Sequence, residues 1–78
     1  MRSYVFNVEL VHETDGRWSA GIAALPGCAT WGHTREGALR NIQDAAEAYI
    51  RAATKVGRKV PTGAAVRVSD EPVVAVTV

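Results

Sequence analysis

The chain has 78 residues and 47% hydrophobic content, so it fits one domain and is too apolar to be intrinsically disordered. Its formal net charge of +1 does not by itself indicate a polyanionic partner. A single cysteine excludes an internal disulfide, no apolar run approaches the roughly 20 residues that span a bilayer, and no secretory signal is visible, which together predict a cytoplasmic protein without membrane contact.

The first third of the sequence predicts a β-hairpin. The segment YVFNVELV, residues 4–11, alternates with a period of two and is rich in β-branched and aromatic residues. One face then carries Tyr4, Phe6, Val8 and Leu10, and the other carries Val5, Asn7, Glu9 and Val11. Asp15-Gly16 marks the turn, since this dipeptide accepts positive φ. The return strand is predicted as RWSAGIAAL, residues 17–25, with Trp18, Ala20, Ile22 and Ala24 on one face.

A short strand and a long helix follow. Pro26-Gly27 ends the ladder, and CATWG, residues 28–32, predicts a third strand. Thr34 suits an N-cap, while Gly57 and Pro61 predict the end of the helix. The apolar residues between them recur at the i, i+3, i+4 spacing of one helix face: Ala38, Leu39, Ile42, Ala45, Ala46, Tyr49, Ile50 and Ala53.

The C-terminal part is a weaker pattern that ends in a clear strand. AAVRV, residues 64–68, suits either a strand or an extended loop, and SDEP suits a turn. VVAVTV, residues 73–78, is dominated by β-branched residues and predicts a strand. The expected fold class is α+β: one domain over residues 1–78, in the order β-β-β-α-(β)-β, with one helix packed on one face of an antiparallel sheet.

One helix cannot cover both halves of such a sheet. Strands lie about 4.8 Å apart and a helix is about 10 Å wide, so part of the sheet stays open. The face predicted to turn away from the helix is small or apolar around one large ring, and holds Val5, Ser19, Gly21, Ala23, Ala29 and Trp31. A solvated sheet face is usually more polar. We therefore expect this face, or a sheet edge, to meet another protein chain.

Three segments of the sequence form a recognisable order: YVFNVEL, DGRWSAGIAALPGCATWGHTREGAL and the helix ALRNIQDAAEAYI, with GRKVP at 57–61 after it. In this order they resemble the HicB family of small bacterial and archaeal antitoxins. The LPGC motif is residues 25–28. Gly37 stands where the family more often has an acidic residue.

The resemblance implies a partial RNase-H-like β-β-β-α-β fold that forms a homodimer or homotetramer. It also implies a non-catalytic protein that binds and masks a small toxin of the HicA type, an mRNA-cleaving ribonuclease. Family members often add a C-terminal DNA-binding domain, and because the sequence stops at Val78 no direct DNA binding is expected. The alternative is a solitary HicB-like regulatory or ligand-binding module without a toxin partner.

Enzymatic chemistry is not predicted from the residues. Cys28 and His33 are five positions apart, so on a strand they point to opposite faces, and too few further ligands accompany them for a metal. Glu9 is the one carboxylate expected in mid-strand, which disfavours a metal-dependent nuclease, the third hypothesis. No cofactor, metal or catalytic residue is expected.

Two further groups complete the predicted roles. Arg51, Lys55, Arg58 and Lys59 are predicted to complement the helix dipole rather than to bind RNA. Trp18 is expected in the core. The predicted partner-binding residues are Trp31, His33, Val5 and Ala29.

Overall fold

The computed structural model describes residues 3–58, 60 and 72–77. These residues form five strands and one helix, and the predicted α+β class is confirmed. The elements are β1 Ser3–Asn7, β2 Glu9–His12, β3 Trp18–Gly21, β4 Ala29–Gly32, α1 Arg35–Lys55 and β5 Val73–Thr77. The tentative strand at 64–68 lies outside the described residues. In the part of the chain that the structure describes, no helix is both long and apolar enough to cross a membrane.

The strands form two antiparallel sheets, β1-β5 and β2-β3-β4. The first predicted strand is therefore wrong as a single element, because it divides at Val8 between the two sheets. The Val8 N–H still donates to the Pro72 carbonyl at 2.8 Å, on the side of β5. The Glu13 N–H donates to the Arg17 carbonyl at 2.7 Å, on the side of β3. Glu13 is an odd number of residues after Val8. Since successive N–H groups point to opposite edges, β3 and β5 flank this long segment on its two sides.

The core lies between α1 and one face of the strands. Tyr4, Phe6 and Val8 are buried in the predicted alternation, whereas Val5 is 40% exposed. Opposite them in the register of β5 are Val74 and Val76, which are also buried. The side of α1 facing these strands carries the buried residues Ala38, Ile42, Ala46, Ile50 and Ala53. The helical periodicity of the sequence thus identified the contact face.

Both predicted ends of the helix are confirmed. Thr34 is the N-cap, and its Oγ1 accepts a hydrogen bond from the Gly37 N–H at 2.9 Å, which satisfies one amide of the first turn. At the other end Gly57 has φ of +75°, a left-handed conformation that glycine adopts without strain. The Arg58 N–H donates to the Ala53 carbonyl at 2.8 Å and closes the last turn.

The return strand of the hairpin is shorter than predicted. It ends at Gly21, and residues 22–28 form a compact turn instead of continuing to Leu25. The Ile22 N–H donates to the Cys28 carbonyl at 3.1 Å and joins the two ends of this turn. Leu25 is fully buried, whereas Ala23 and Ala24 are exposed. The turn places Leu25 in the core, and it takes Ala23 and Ala24 off the sheet faces to which they were assigned.

Candidate protein-binding face

The side of β2-β3-β4 turned away from α1 is left uncovered by the described residues. The register aligns its side chains in two rows across the three strands, Val11–Ser19–Trp31 and Glu9–Gly21–Ala29. We call these six residues the open face. Together with residues of the hairpin turn they line a shallow depression of about 540 Å³. The face combines one large ring, several small side chains and a carboxylate.

Three of the four predicted partner-binding residues meet here. Trp31 is 47% exposed, and Ala29 is exposed on the same strand. The exposed His33 ring lies edge-on to Trp31, with 5.2 Å between ring centroids and an interplanar angle of 89°. Val5 lies in the other sheet, opposite Ala75 in the register. The structure therefore groups Trp31, His33 and Ala29, while Val5 belongs to a neighbouring surface, and their role as contacts stays a prediction.

A contact that the sequence reasoning missed holds Trp31 from one side. The Arg17 guanidinium lies over the Trp31 ring, 5.2 Å from its centroid, in a cation–π arrangement. Asp15 anchors this arginine, accepting from its backbone N–H at 3.0 Å and from its Nε at 2.8 Å. The backbone hydrogen bond from Arg17, with its side-chain bond and its charge, holds the pKa of the Asp15 carboxyl below its usual value. The hairpin turn thus supports the indole ring.

Charge is unevenly distributed over the chain. Glu9, Glu13 and Asp15 line the depression with Arg17 as the single cation among its lining residues. The exposed cations of the predicted basic cluster lie instead at the end of α1, where Arg51 pairs with Glu47 at 2.6 Å. Lys59 of that cluster falls outside the described residues. A chain of net charge +1 therefore has a locally acidic depression at the open face.

Cys28 and His33 do not form a catalytic pair. Cys28 is a buried member of the core, whereas the His33 ring is exposed against Trp31. Burial raises the pKa of the Cys28 thiol, so the nucleophilic thiolate is disfavoured. With 7% of its surface exposed, Cys28 is a packing residue of the core.

Alkylation tests this assignment of Cys28. We expect iodoacetamide to modify native protein at pH 8 at least about tenfold more slowly than protein unfolded in urea, since the thiol is buried and its pKa is raised. The pKa of Cys28 is higher in the folded than in the unfolded protein. The free energy of unfolding should therefore be constant below the ordinary pKa of a thiol and should decrease as the pH rises above it. Mass spectrometry over a pH series gives the rates. Equal rates in the native and unfolded protein would contradict a buried thiol.

The remaining candidates for chemistry are separated or structural. Within residues 3–58, 60 and 72–77, no group of three or more His, Cys, Asp or Glu side chains is arranged to hold a metal ion. Trp18, predicted in the core, is partly buried against it and stacks on His12 with ring centroids 4.3 Å apart. The residues that stand out are therefore those of the open face.

Known proteins resemble the chain in sequence and in fold. No family model matches it. It is 39% identical over 56 residues to the UPF0150 protein Ta0767 of Thermoplasma acidophilum, a match covering 72% of this chain and 81% of that protein. The N-terminal domain of Burkholderia pseudomallei antitoxin HicB has a TM-score of 0.74 at 16% identity, covering 95% of this chain and 96% of the domain.

The full-length HicB antitoxin of the same organism places this fold within a longer protein. It gives a TM-score of 0.67 at 16% identity. The match covers all of this chain and 64% of the antitoxin. At this identity the likeness establishes the fold alone. It confirms the predicted resemblance at that level, and the sequence identity to the Thermoplasma protein gives the family. The chain has the fold of the HicB N-terminal domain and belongs to the UPF0150 family.

Proposed function

We propose that the protein is a non-catalytic, antitoxin-like protein that binds and masks a small mRNA-cleaving ribonuclease of the HicA type. The observation that carries the proposal is the half-exposed Trp31 on a sheet face that α1 does not cover. The likeness of fold to a HicB antitoxin domain supports the same role. The protein would act in the cytoplasm.

Masking would be steric. A tryptophan fixed by neighbours loses little conformational freedom on binding, and such residues dominate the binding energy of many interfaces. Trp31 contacts both Arg17 and His33, so its ring is already oriented before a partner arrives. The small residues Ser19, Gly21 and Ala29 beside it let a partner approach the strands closely. The partner's catalytic or RNA-binding surface would then be covered.

Self-association is part of the proposal. Val73 is 50% exposed and Val5 40% exposed, and both lie on the side of β1-β5 that is turned away from the buried residues Tyr4 and Phe6. A homodimer or homotetramer would use this second surface and leave Trp31 to the toxin. Sedimentation of the purified protein at tens of micromolar measures the assembly, and a stable monomer would contradict this part.

Co-purification tests the masking role. The protein is co-expressed with the product of an adjacent small open reading frame, and binding is then compared for Trp31→Ala and the unsubstituted chain. Loss of a central aromatic anchor typically weakens an interface by about 2 kcal/mol or more, roughly 30-fold in Kd. Val56→Ala is the matched control, since Val56 is 72% exposed beyond the end of α1. Its binding should stay unchanged.

The outcomes separate the proposed roles. An adjacent product that is not toxic, or toxicity that this protein does not relieve, would favour the solitary regulatory or ligand-binding module. The purified protein should also leave RNA intact with Mg²⁺ present. Cleavage that Glu9→Ala abolishes would overturn the non-catalytic assignment.

A further inference from the structure

We infer that the surface that docks on the open face is a basic protein surface, and that Glu9 receives one of its lysine or arginine side chains. This inference rests on the proposed function, because it specifies the chemistry of the partner at the same face. The net charge of the whole chain, +1, would not suggest a basic partner.

The three carboxylates at the depression are not equivalent. Asp15 is engaged by Arg17 through two hydrogen bonds, and Glu13 accepts from the Ser19 hydroxyl at 2.8 Å. Glu9 is exposed, and among the described residues no ion pair or side-chain hydrogen bond involves it. Glu9 is therefore the carboxylate left to attract a partner's cation.

The floor beside Glu9 has room for a long side chain. Glu9 lies opposite Gly21, and Gly21 opposite Ala29, so two small residues on β3 and β4 continue the row that begins at Glu9 on β2. Two strand spacings, about 10 Å, separate β2 from β4, which carries Trp31. An arginine or lysine lying along this row can rest its apolar stem on the small residues and present its charge to Glu9. The depression therefore fits a cationic side chain in both charge and shape.

The same charges disfavour other occupants. Phosphates would meet Glu9, Glu13 and Asp15, so a nucleic acid is repelled from this face. A second copy could offer the cations at the end of its α1, but such a contact joins different surfaces and forms a closed assembly only if its rotation returns to the first copy. A different protein with a basic surface can bind without forming a closed ring, and we propose it as the occupant of the open face.

A short polycation tests the inference without any toxin. Uniformly ¹⁵N-labelled protein is titrated with acetylated, amidated hexaarginine and followed by amide and indole NMR shifts. We expect shifts at Glu9, Gly21, Ala29 and the Trp31 indole, reduced by added salt because exposed charges are screened. Glu9→Gln should weaken binding by about two- to fivefold, the range of one exposed ion pair.

Two further variants make the test specific. Asp44→Asn makes the same charge change on the exposed side of α1 and should leave the hexaarginine Kd unchanged. Gly21→Ala should fold, because a Cβ there meets only the Cys28 carbonyl oxygen, at 3.9 Å, and its methyl group should partly fill the floor and weaken binding. Hexaglutamate should leave the open-face signals in place.

Any one of the following results would contradict the inference. Shifts centred on α1, equal effects of Glu9→Gln and Asp44→Asn, or binding of hexaglutamate to the open face would overturn it. So would open-face shifts that arise from raising the protein concentration alone, since they would identify a second copy as the occupant. If hexaarginine binds as expected but no ribonuclease does, the proposed toxin partner fails and the basic-partner inference stands.

Discussion

Replacing Leu25 with alanine is expected to lower the free energy of unfolding by about 2–5 kcal/mol, the range for large-to-small changes in a core. Leu25 is fully buried although it lies in a turn. Its N–H donates to Ile22 at 3.1 Å, and its carbonyl accepts from Cys28 at 2.9 Å. The side chain therefore fixes the whole turn to the core. Since one core of this size rarely supplies more than about 3–5 kcal/mol, much of the variant should be unfolded.

Urea denaturation followed by circular dichroism measures this loss. Leu25→Met nearly preserves volume and apolarity, and should cost less than about 1.5 kcal/mol. Pro26→Ala changes an exposed neighbour in the same turn and serves as a second control. A Leu25→Ala variant within about 1 kcal/mol of the parent would show that the turn does not depend on this anchor.

Gly32→Ala is expected to destabilise the protein by about 1–3 kcal/mol or more, although it adds a single methyl group. A Cβ at Gly32 would lie 2.5 Å from the Ala38 nitrogen, 2.8 Å from the Gly37 carbonyl carbon and 3.0 Å from the Ala38 Cα. These are backbone atoms of the first turn of α1, so no side-chain rotation relieves the clash. The beginning of the helix would have to move away from β4.

Gly21→Ala is the matched control for this prediction. It also adds a methyl group to a glycine of the three-stranded sheet, but the nearest atom is 3.9 Å away. We expect it to be neutral or slightly stabilising, because alanine loses less backbone entropy on folding than glycine. Thermal unfolding compares the two variants. Equal melting temperatures would show that α1 yields at Gly32 without loss of packing.

The helix could be predicted nearly to the residue because several signals agree there. The apolar spacing, the Thr34 hydroxyl before the first turn and Gly57 after the last one all specify the same element. The break at Val8 could not be predicted, because the alternation of buried and exposed side chains continues across it. Only the hydrogen-bonding partners change at that point, and they are distant in sequence.

The turn before β4 shows how an apolar stretch can mislead. GIAAL is non-polar throughout and directly follows a strand, which suits a longer strand. Instead, the hydrogen bond from the Ile22 N–H to the Cys28 carbonyl closes a loop in which Leu25 is buried. Pro26-Gly27 did signal a turn, and Gly27 has φ of +82°. The error was to begin that turn at the proline rather than at Ile22.

The composition of the open face could be predicted by counting alternate residues, which placed Trp31, Ala29 and Ser19 together. Its charge distribution could not. Arg17 reaches the Trp31 ring through the pairing of β3 with β4, and Asp15 engages Arg17 through the shape of the turn. These contacts depend on three-dimensional register, and they leave Glu9 as the carboxylate of the depression that has neither an ion pair nor a side-chain hydrogen bond among the described residues.

The pairing of β1 with β5 has a consequence for the order of folding. Ser3 lies opposite Thr77 in the register, so this sheet joins segments from the two extremes of the described chain. Contacts of such high sequence separation are slow to form, because the entropy cost of closing a long loop comes before the contacts contribute any stabilising free energy. During synthesis the hairpin of β2 and β3 can form early, but Phe6 cannot pair with Val74 until the chain has been synthesised through β5. The β1 edge stays unpaired until then, and protection of that edge is the step of folding in which a chaperone would matter most.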